Sequence, residues 1–130
     1  MQTPPRILVV DDVPTVLAVL RLRLEAEGFE VVTARDGVEA IDRARETHPD
    51  LIVLDLMLPR LTGERVCEVL RGDAHFRGVP IVVLSARIGE SERLRAFAAG
   101  ADAFLSKPYE VAQLVGEIRS RLGATKGYAA

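Results

Sequence analysis

The 130-residue sequence lacks several features that would define a class of protein on their own. It contains a single cysteine, Cys67, which excludes an internal disulfide and suits a reducing cytoplasm. Because Val66, Val69 and Leu70 surround this thiol, we expect a small buried side chain and not a nucleophile. The sequence has no apolar run near the roughly 18 residues that cross a bilayer and no signal-peptide core at its start, so we expect a cytoplasmic protein with no membrane partner.

The sequence also lacks an excess of positive charge. The formal net charge at pH 7 is -2, and lysine and arginine form no block along the chain. Duplex binding needs clustered, uncompensated basic side chains, so the composition argues against nucleic acid as a partner of this domain. The hydrophobic fraction of 48% is sufficient for the core of one domain. We assign residues 1–123 to that domain and residues 124–130 to a polar tail.

Five apolar runs alternate along the chain with five helical patterns. The predicted strands lie within residues 6–12, 30–35, 51–55, 79–85 and 103–106, and the second is the least apolar and therefore nearest an edge. The first helix is predicted to begin at an Asp12 cap. Apolar residues at spacings of three and four are predicted to face inward in all five helices. They are Val13, Leu17, Leu20, Leu24, Val38, Ile41, Ala44, Val66, Cys67, Leu70, Leu94, Phe97, Ala98, Val111, Leu114, Val115, Ile118 and Leu122. Because parallel strands need crossover helices, this alternation predicts an α/β fold with a doubly wound, five-stranded parallel sheet.

Polar side chains stand where the predicted strands end. Asp11 and Asp12 follow the first strand, Asp55 ends the third, Ser85 ends the fourth and Lys107 follows the fifth. Taken alone, Asp55 and Ser85 each suit a cap, and Asp11 and Asp12 suit a cap with a solvated neighbour. Sites in doubly wound sheets lie at the carboxyl ends of the strands, so the shared position of the five side chains predicts a functional site.

The residue types at this edge indicate phosphoryl chemistry. Three carboxylates would repel one another unless a cation balances them, and oxygen ligands without histidine or cysteine favour Mg2+. Lys107 would add a second positive charge, and the Ser85 hydroxyl could donate to a phosphoryl oxygen. An ionised aspartate can attack phosphorus without a general base, so Asp55 is the predicted nucleophile.

Five motifs occur in order at fixed offsets, and together they carry a family resemblance. The motifs are Val10-Asp-Asp12, Asp55-Leu-Met-Leu-Pro59 with Gly63, Ser85-Ala86, Gly100-Ala-Asp102 and Phe104-Leu-Ser-Lys-Pro108. In this order the sequence resembles the response-regulator receiver domain (CheY-like) of two-component signal transduction, over residues 6–122. The resemblance implies the strand order 2-1-3-4-5 of flavodoxin and CheY-like folds, which is taken over from that family.

The resemblance also implies a role for each residue at the carboxyl edge. Asp55 would accept a phosphoryl group from a histidine kinase or a histidine phosphotransfer protein. Asp12 would bind Mg2+ directly and Asp11 through water, while Asp55 and the backbone carbonyl of Met57 would complete the protein ligands. Lys107 would contact the phosphoryl group.

A switch is implied by the same resemblance. Ser85 would move to the phosphoryl group while the Phe104 ring turns inward, although Phe104 alone is typical of core, and Lys107 would precede Pro108 through a cis bond. The fourth helix, fifth strand and fifth helix would then bind an unknown downstream protein. Charge-paired dimers of this family carry an acid, an acid and a base where this chain has Ala103, Gln113 and Glu117, so a monomer or weak dimer is expected.

Other functional classes fit the sequence less well. Phosphatases with an aspartate nucleophile need a second acid two residues later, where this chain has Met57, and a dinucleotide enzyme needs a glycine-rich loop after its first strand. A purely structural adaptor would not need the complete acidic set. We therefore expect a phosphorylation-dependent switch and not an enzyme with a diffusible substrate. Slow hydrolysis of its phosphoryl group is also predicted, because neither Met57 nor Arg87 is suited to activating water. Asp102 is interpreted as a turn residue without chemistry.

Overall fold

A computed structural model describes residues 3–86 and 89–126, with side chains up to residue 123 in the last helix. Five parallel strands in these residues form one sheet in the order β2-β1-β3-β4-β5. The strands are β1 Arg6–Val10, β2 Glu30–Ala34, β3 Leu51–Asp55, β4 Ile81–Ser85 and β5 Ala103–Ser106. The helices are α1 Pro14–Ala26, α2 Gly37–Thr47, α3 Gly63–Arg71, α4 Glu90–Ala99 and α5 Val111–Lys126, with a 3-10 helix at Ala74–Phe76. The predicted fold class, strand order and edge position of β2 are confirmed.

Both faces of the sheet are buried because the side chains of each strand alternate between two apolar clusters. In β1, Leu8 and Val10 pack with residues of α2, α3 and α4, whereas Ile7 and Val9 pack with residues of α1 and α5. Cys67 of α3 is fully buried in the first cluster, and burial raises the pKa of its thiol to about 12. The thiol therefore contributes to packing, as predicted.

The start of α1 differs from the prediction. Asp12 is exposed and does not cap the helix; Val13 occupies the N-cap position without a side-chain hydrogen bond, and Pro14 is the first helical residue. Val13, predicted to face inward, is 43% exposed. Proline at the first helical position has no N–H to satisfy, which reduces the need for a capping side chain. Asp11, and not Asp12, supplies the carboxylate at this turn, and it accepts a hydrogen bond from the Val13 N–H at 2.9 Å.

Two further helices expose residues that the sequence predicts to face inward, although Ile41 and Ala44 of α2 are buried as predicted. Val38, Leu94, Phe97 and Ala98 were all predicted to face inward, and all four are exposed. In α4 the buried side chain is Ala96. A residue two positions away lies about 160° around the helix, so the burial of Ala96 turns Leu94 and Ala98 outward.

The last helix is longer than predicted. α5 continues to Lys126, past the predicted end near Leu122, so residues 124–126 of the predicted tail are helical. The remaining tail residues, 127–130, lie outside the described residues.

The loop after β3 is held in place by two close backbone approaches. A Cβ atom at Gly63 would lie 2.7 Å from the backbone oxygen of Asp55, and one at Gly37 would lie 2.5 Å from that of Leu61. Neither position has space for a side chain. The end of β3, its loop and the start of α2 therefore pack against one another, which fixes the peptide that follows Asp55.

Candidate functional site

Polar residues collect at the carboxyl edge of the sheet, as the sequence predicts. Among the described residues, three polar or charged residues are buried, and all three lie at this edge: Asp11 after β1, Asp55 at the end of β3 and Ser85 at the end of β4. Burial of ionisable groups is unfavourable unless they are paired. Their concentration at one edge therefore indicates a site and not a requirement of the fold.

Lys107, which follows β5, bridges the two buried carboxylates. Its Nζ lies 2.8 Å from Oδ2 of Asp55 and 3.5 Å from Oδ2 of Asp11. The other oxygen of Asp55 accepts the Met57 backbone N–H at 2.9 Å. Each buried carboxylate thus uses Oδ1 for a backbone hydrogen bond two residues further along the chain and presents Oδ2 toward the lysine.

Among the described residues, the buried carboxylates Asp11 and Asp55 share one ammonium, that of Lys107. Burial, reinforced by the charge of Asp55, raises the pKa of Asp11 above its usual value, although the Val13 N–H and Lys107 oppose this shift. Burial lowers the pKa of Lys107, but its hydrogen bond to Asp55 and the charges of Asp55 and Asp11 outweigh burial and raise it. One ammonium therefore faces more than one carboxylate, and a further cation would relieve the repulsion.

The donor set fits a hard divalent cation. Oxygen atoms of Asp11, Asp12 and Asp55 all lie within 4.8 Å of one another, with Asp12 exposed at the rim and the other two buried. Oδ2 of Asp11 is buried and accepts no hydrogen bond from any described residue, so it is available as a ligand. Carboxylate oxygens are the ligands that Mg2+ prefers, and an exposed rim leaves room for its water molecules. These three residues could hold a metal ion.

The two predicted switch residues lie on neighbouring strands. Ser85 is buried at the end of β4, and its backbone oxygen accepts the Lys107 N–H at 2.8 Å. Phe104, opposite Val83 in the β4–β5 register, is half-buried and packs against the cluster formed with α2, α3 and α4. The Lys107–Pro108 bond is cis, as expected. Arg87, the other predicted neighbour of the site, lies outside the described residues.

Sequence reasoning missed an important contact of Asp102. This residue was interpreted as a turn residue without chemistry, but its Oδ2 lies 2.6 Å from Nη2 of Arg71 and accepts the Ile81 N–H at 2.8 Å. The two side chains are 31 positions apart, on segments that meet only in the folded chain. No local pattern signals such a pair.

Comparison with known proteins identifies the class that this fold and site define. The family described as Response regulator receiver domain matches residues 7–119, which is most of the chain. The chain therefore belongs to the response-regulator receiver domain family of two-component systems.

Individual relatives support this membership. The chain is 44% identical over 117 residues to the DNA-binding response regulator MtrA of Mycolicibacterium smegmatis, covering 90% of this chain and 50% of that protein. It is 48% identical over 124 residues to the transcriptional regulatory protein PrrA of Mycobacterium leprae, covering 93% of this chain and 52% of PrrA. The chain thus spans about half the length of the curated relatives it matches.

Solved structures agree with the sequence relatives. A CheY-like response regulator receiver domain protein from Methanospirillum hungatei superposes with a TM-score of 0.89 at 26% identity, covering 95% of this chain and 98% of that one. The signal receiver domain of a histidine kinase from Syntrophus aciditrophicus gives 0.88 at 30% identity, covering 97% and 96%. Among the described residues, we find no helix with the length and hydropathy to cross a membrane.

Proposed function

We propose that this receiver accepts a phosphoryl group on Asp55 from a phosphohistidine of a histidine kinase or a histidine phosphotransfer protein, with Mg2+ bound by the neighbouring carboxylates. The observation that supports this most directly is the position of Asp55. Its carboxylate lies 2.8 Å from the Lys107 ammonium and within 4.8 Å of two further acids. A phosphoryl group there would meet a lysine on one side and metal ligands on the other.

The residues of the chain have distinct tasks in this transfer. An oxygen of the Asp55 carboxylate forms the new O–P bond while the N–P bond of the phosphohistidine breaks, and the imidazole leaves with the electron pair. The ionised carboxylate needs no general base. The Met57 N–H holds Asp55 in orientation through Oδ1, and Lys107 balances charge on the transferred group. When bound, Mg2+ would further neutralise phosphoryl oxygens; Asp12, Asp55 and the Met57 carbonyl would hold it directly and Asp11 through water.

The proposed consequence of phosphorylation is a change of surface. Ser85 donates its hydroxyl to the phosphoryl group and Phe104 turns inward, and the α4, β5 and α5 face then binds a downstream protein. The domain acts as a switch and catalyses only its own phosphorylation and dephosphorylation. Two of the relatives carry DNA-binding or transcriptional functions in their names, whereas for residues 1–123 we propose a protein partner and no direct contact with nucleic acid.

Labelling with a small phosphodonor tests the proposed function. The chain is incubated with acetyl phosphate or phosphoramidate and Mg2+, and its intact mass is measured. We expect wild type to gain one phosphoryl group and Asp55→Asn to gain none. Asp42→Asn, which changes an exposed aspartate on α2, is the matched control and should label like wild type. Equal labelling of wild type and Asp55→Asn would contradict the proposal.

A further inference from the structure

Arg71, at the C-terminal end of α3, joins segments near the N-terminal ends of β4 and β5. The carboxylates lie at the opposite, C-terminal ends of the strands. Its Nε donates to the Gly100 carbonyl at 2.9 Å, and its Nη1 donates to the carbonyls of Phe76 and Val79 at 2.7 Å each. Its Nη2 lies 2.6 Å from Oδ2 of Asp102. The planar guanidinium can satisfy all these acceptors at once, which a lysine ammonium could not do with the same geometry.

The contacts of Arg71 meet at the point where α4 ends and β5 begins. Gly100 closes α4 with a φ of 119°, and a Cβ atom there would overlap Cγ of Arg71. Asp102 also accepts the Ile81 N–H and donates its own N–H to the Ile81 carbonyl, both at 2.8 Å. The C-terminal end of α4 is therefore tied to α3, to the start of β4 and to β5 through one side chain and its partner.

In the part of the chain that the structure describes, the side chains at the other end of α4 make only weak contacts with the rest of the fold. The buried residue of the helix is Ala96, whereas Leu94 is 59% exposed. The N-cap position is Gly89, which has no side chain to cap the helix. Arg95 lies 3.9 Å from Glu64 of α3, but both side chains are exposed, and such ion pairs contribute little. The helix is thus anchored asymmetrically.

We propose that Arg71 is a positioning residue that fixes the C-terminal end of α4, so that a rearrangement at Ser85 displaces the N-terminal end of the helix and leaves its C-terminal end in place. β4 ends at Ser85 and α4 begins at Glu90, so a displacement at the carboxyl edge reaches the first turn of α4 through a short connection. The proposed function supplies the rearrangement, through a phosphoryl group on Asp55. The anchoring by Arg71 does not depend on it.

Amide hydrogen exchange, measured residue by residue by NMR on the full chain, tests this asymmetry without any substitution. The exchange rates are compared with and without acetyl phosphate and Mg2+. We expect phosphorylation to change the exchange of Arg93 and Leu94, in the first turns, by about tenfold or more. Gly100 and Ala101, whose amides donate to Phe97 and Ala96, should change by less than about twofold. Equal changes at both ends would overturn the proposal.

A pair of arginine variants tests the role of the side chain itself. In unphosphorylated Arg71→Gln, the Gly100 and Ala101 amides should exchange about tenfold faster or more, because hydrogen bonds from a charged donor are lost. On phosphorylation, both ends of α4 should then respond. Arg77→Gln alters an exposed arginine of the next loop and should behave like wild type. If Arg71 had a merely structural role, Arg71→Gln would speed amide exchange throughout the domain. The change on phosphorylation would stay confined to the first turns of α4. That result would contradict a positioning role.

Two further measurements distinguish failure of the Arg71 anchor from failure of the proposed function. If Arg71→Gln does not fold, Asp102→Asn weakens the same anchor while keeping an acceptor oxygen, and the same pattern is expected in milder form. Intact mass is recorded on every sample. Phosphorylated wild type with no difference between the ends of α4 would contradict the anchor alone. Failure of wild type to take up a phosphoryl group would contradict the proposed function, and the unphosphorylated variants would still decide the anchor.

Discussion

Oδ2 of Asp11 lies 3.5 Å from Nζ of Lys107, whereas Oδ2 of Asp55 lies 2.8 Å from the same nitrogen. The lysine therefore makes a good hydrogen bond to Asp55 and leaves the Asp11 oxygen buried without one. A buried carboxylate oxygen without a hydrogen bond is unfavourable for the fold. Its presence beside two other acids is understandable if a cation binds there.

Mg2+ binding should depend on the acids at the edge of the sheet. We expect Mg2+ to bind the unphosphorylated protein weakly, and Asp12→Ala to reduce its affinity about tenfold or more because an oxygen ligand is lost. Backbone NMR shifts during a Mg2+ titration measure this. Asp42→Ala, on the exposed face of α2, is the control and should titrate like wild type. Equal losses in the two variants would refute the assignment of the site.

Asp11→Asn should make the metal-free fold more stable at neutral pH. Burial and the charge of Asp55 raise the pKa of Asp11 above its usual value of 3.8, so the folded state favours the protonated form. Ionisation of wild-type Asp11 therefore lowers the free energy of unfolding as pH rises from that value through the raised pKa. Asparagine removes this effect and keeps an acceptor for the Val13 N–H.

Urea unfolding without Mg2+ measures the difference between wild type and Asp11→Asn. The variant should have the higher midpoint at pH 7, and the two midpoints should converge near pH 3, where wild-type Asp11 is protonated in both states. A variant that is less stable than wild type at pH 7 would show that attraction to Lys107 outweighs burial.

Lys107→Met should separate phosphorylation from the response of the fold. The lysine side chain is 29% exposed, so we expect its loss to lower the free energy of unfolding by about 1 kcal/mol, and Mg2+ binding to persist. The variant should still label on Asp55, but the NMR shift changes in α4 and β5 that accompany phosphorylation should disappear. A loss of about 3–5 kcal/mol, typical of a broken buried ion pair, would instead make Lys107 a structural residue.

The strands and their polar ends could be predicted from the sequence because each signal is local. A run of apolar residues that ends in Asp55 or Ser85 specifies a buried strand and the side chain at its end. The strand order was available only through the family resemblance, because pairing of distant strands leaves no pattern in the sequence. The acidic cluster follows from topology, since parallel strands carry their carboxyl ends to one edge.

The errors of prediction arise where packing of the whole fold decides between local alternatives. In α4, the larger apolar residues Leu94 and Phe97 suggested the buried face, but the side chain that the fold buries is Ala96. The pairing of Arg71 with Asp102 joins segments that are distant in sequence, so neither residue has a local signature. At α1, Pro14 takes the first helical position that proline favours, so Val13 and not Asp12 is the N-cap residue.

The lifetime of the phosphoryl group should be long for this class of site. Met57 follows Asp55 by two residues and is 50% exposed, and its thioether is a weak acceptor that cannot hold a water in line for attack. We expect Met57→Asn to speed the decay of the phosphorylated protein severalfold in excess Mg2+, and Arg87→Glu to add to the effect. Decay is followed by intact mass. If wild type already decays as fast as the double variant, these side chains do not protect the phosphoryl group.

The most direct test of Asp55 as the phosphoacceptor is to locate the phosphoryl group chemically. Borohydride cleaves an aspartyl phosphate reductively and converts that aspartate to homoserine, which peptide mass spectrometry can place in the sequence. After treatment with acetyl phosphate and Mg2+, we predict homoserine at position 55 and unmodified aspartate at positions 11 and 12. Homoserine at position 11 or 12, or a phosphorylated protein with no homoserine at position 55, would contradict the assignment of Asp55 as the phosphoacceptor.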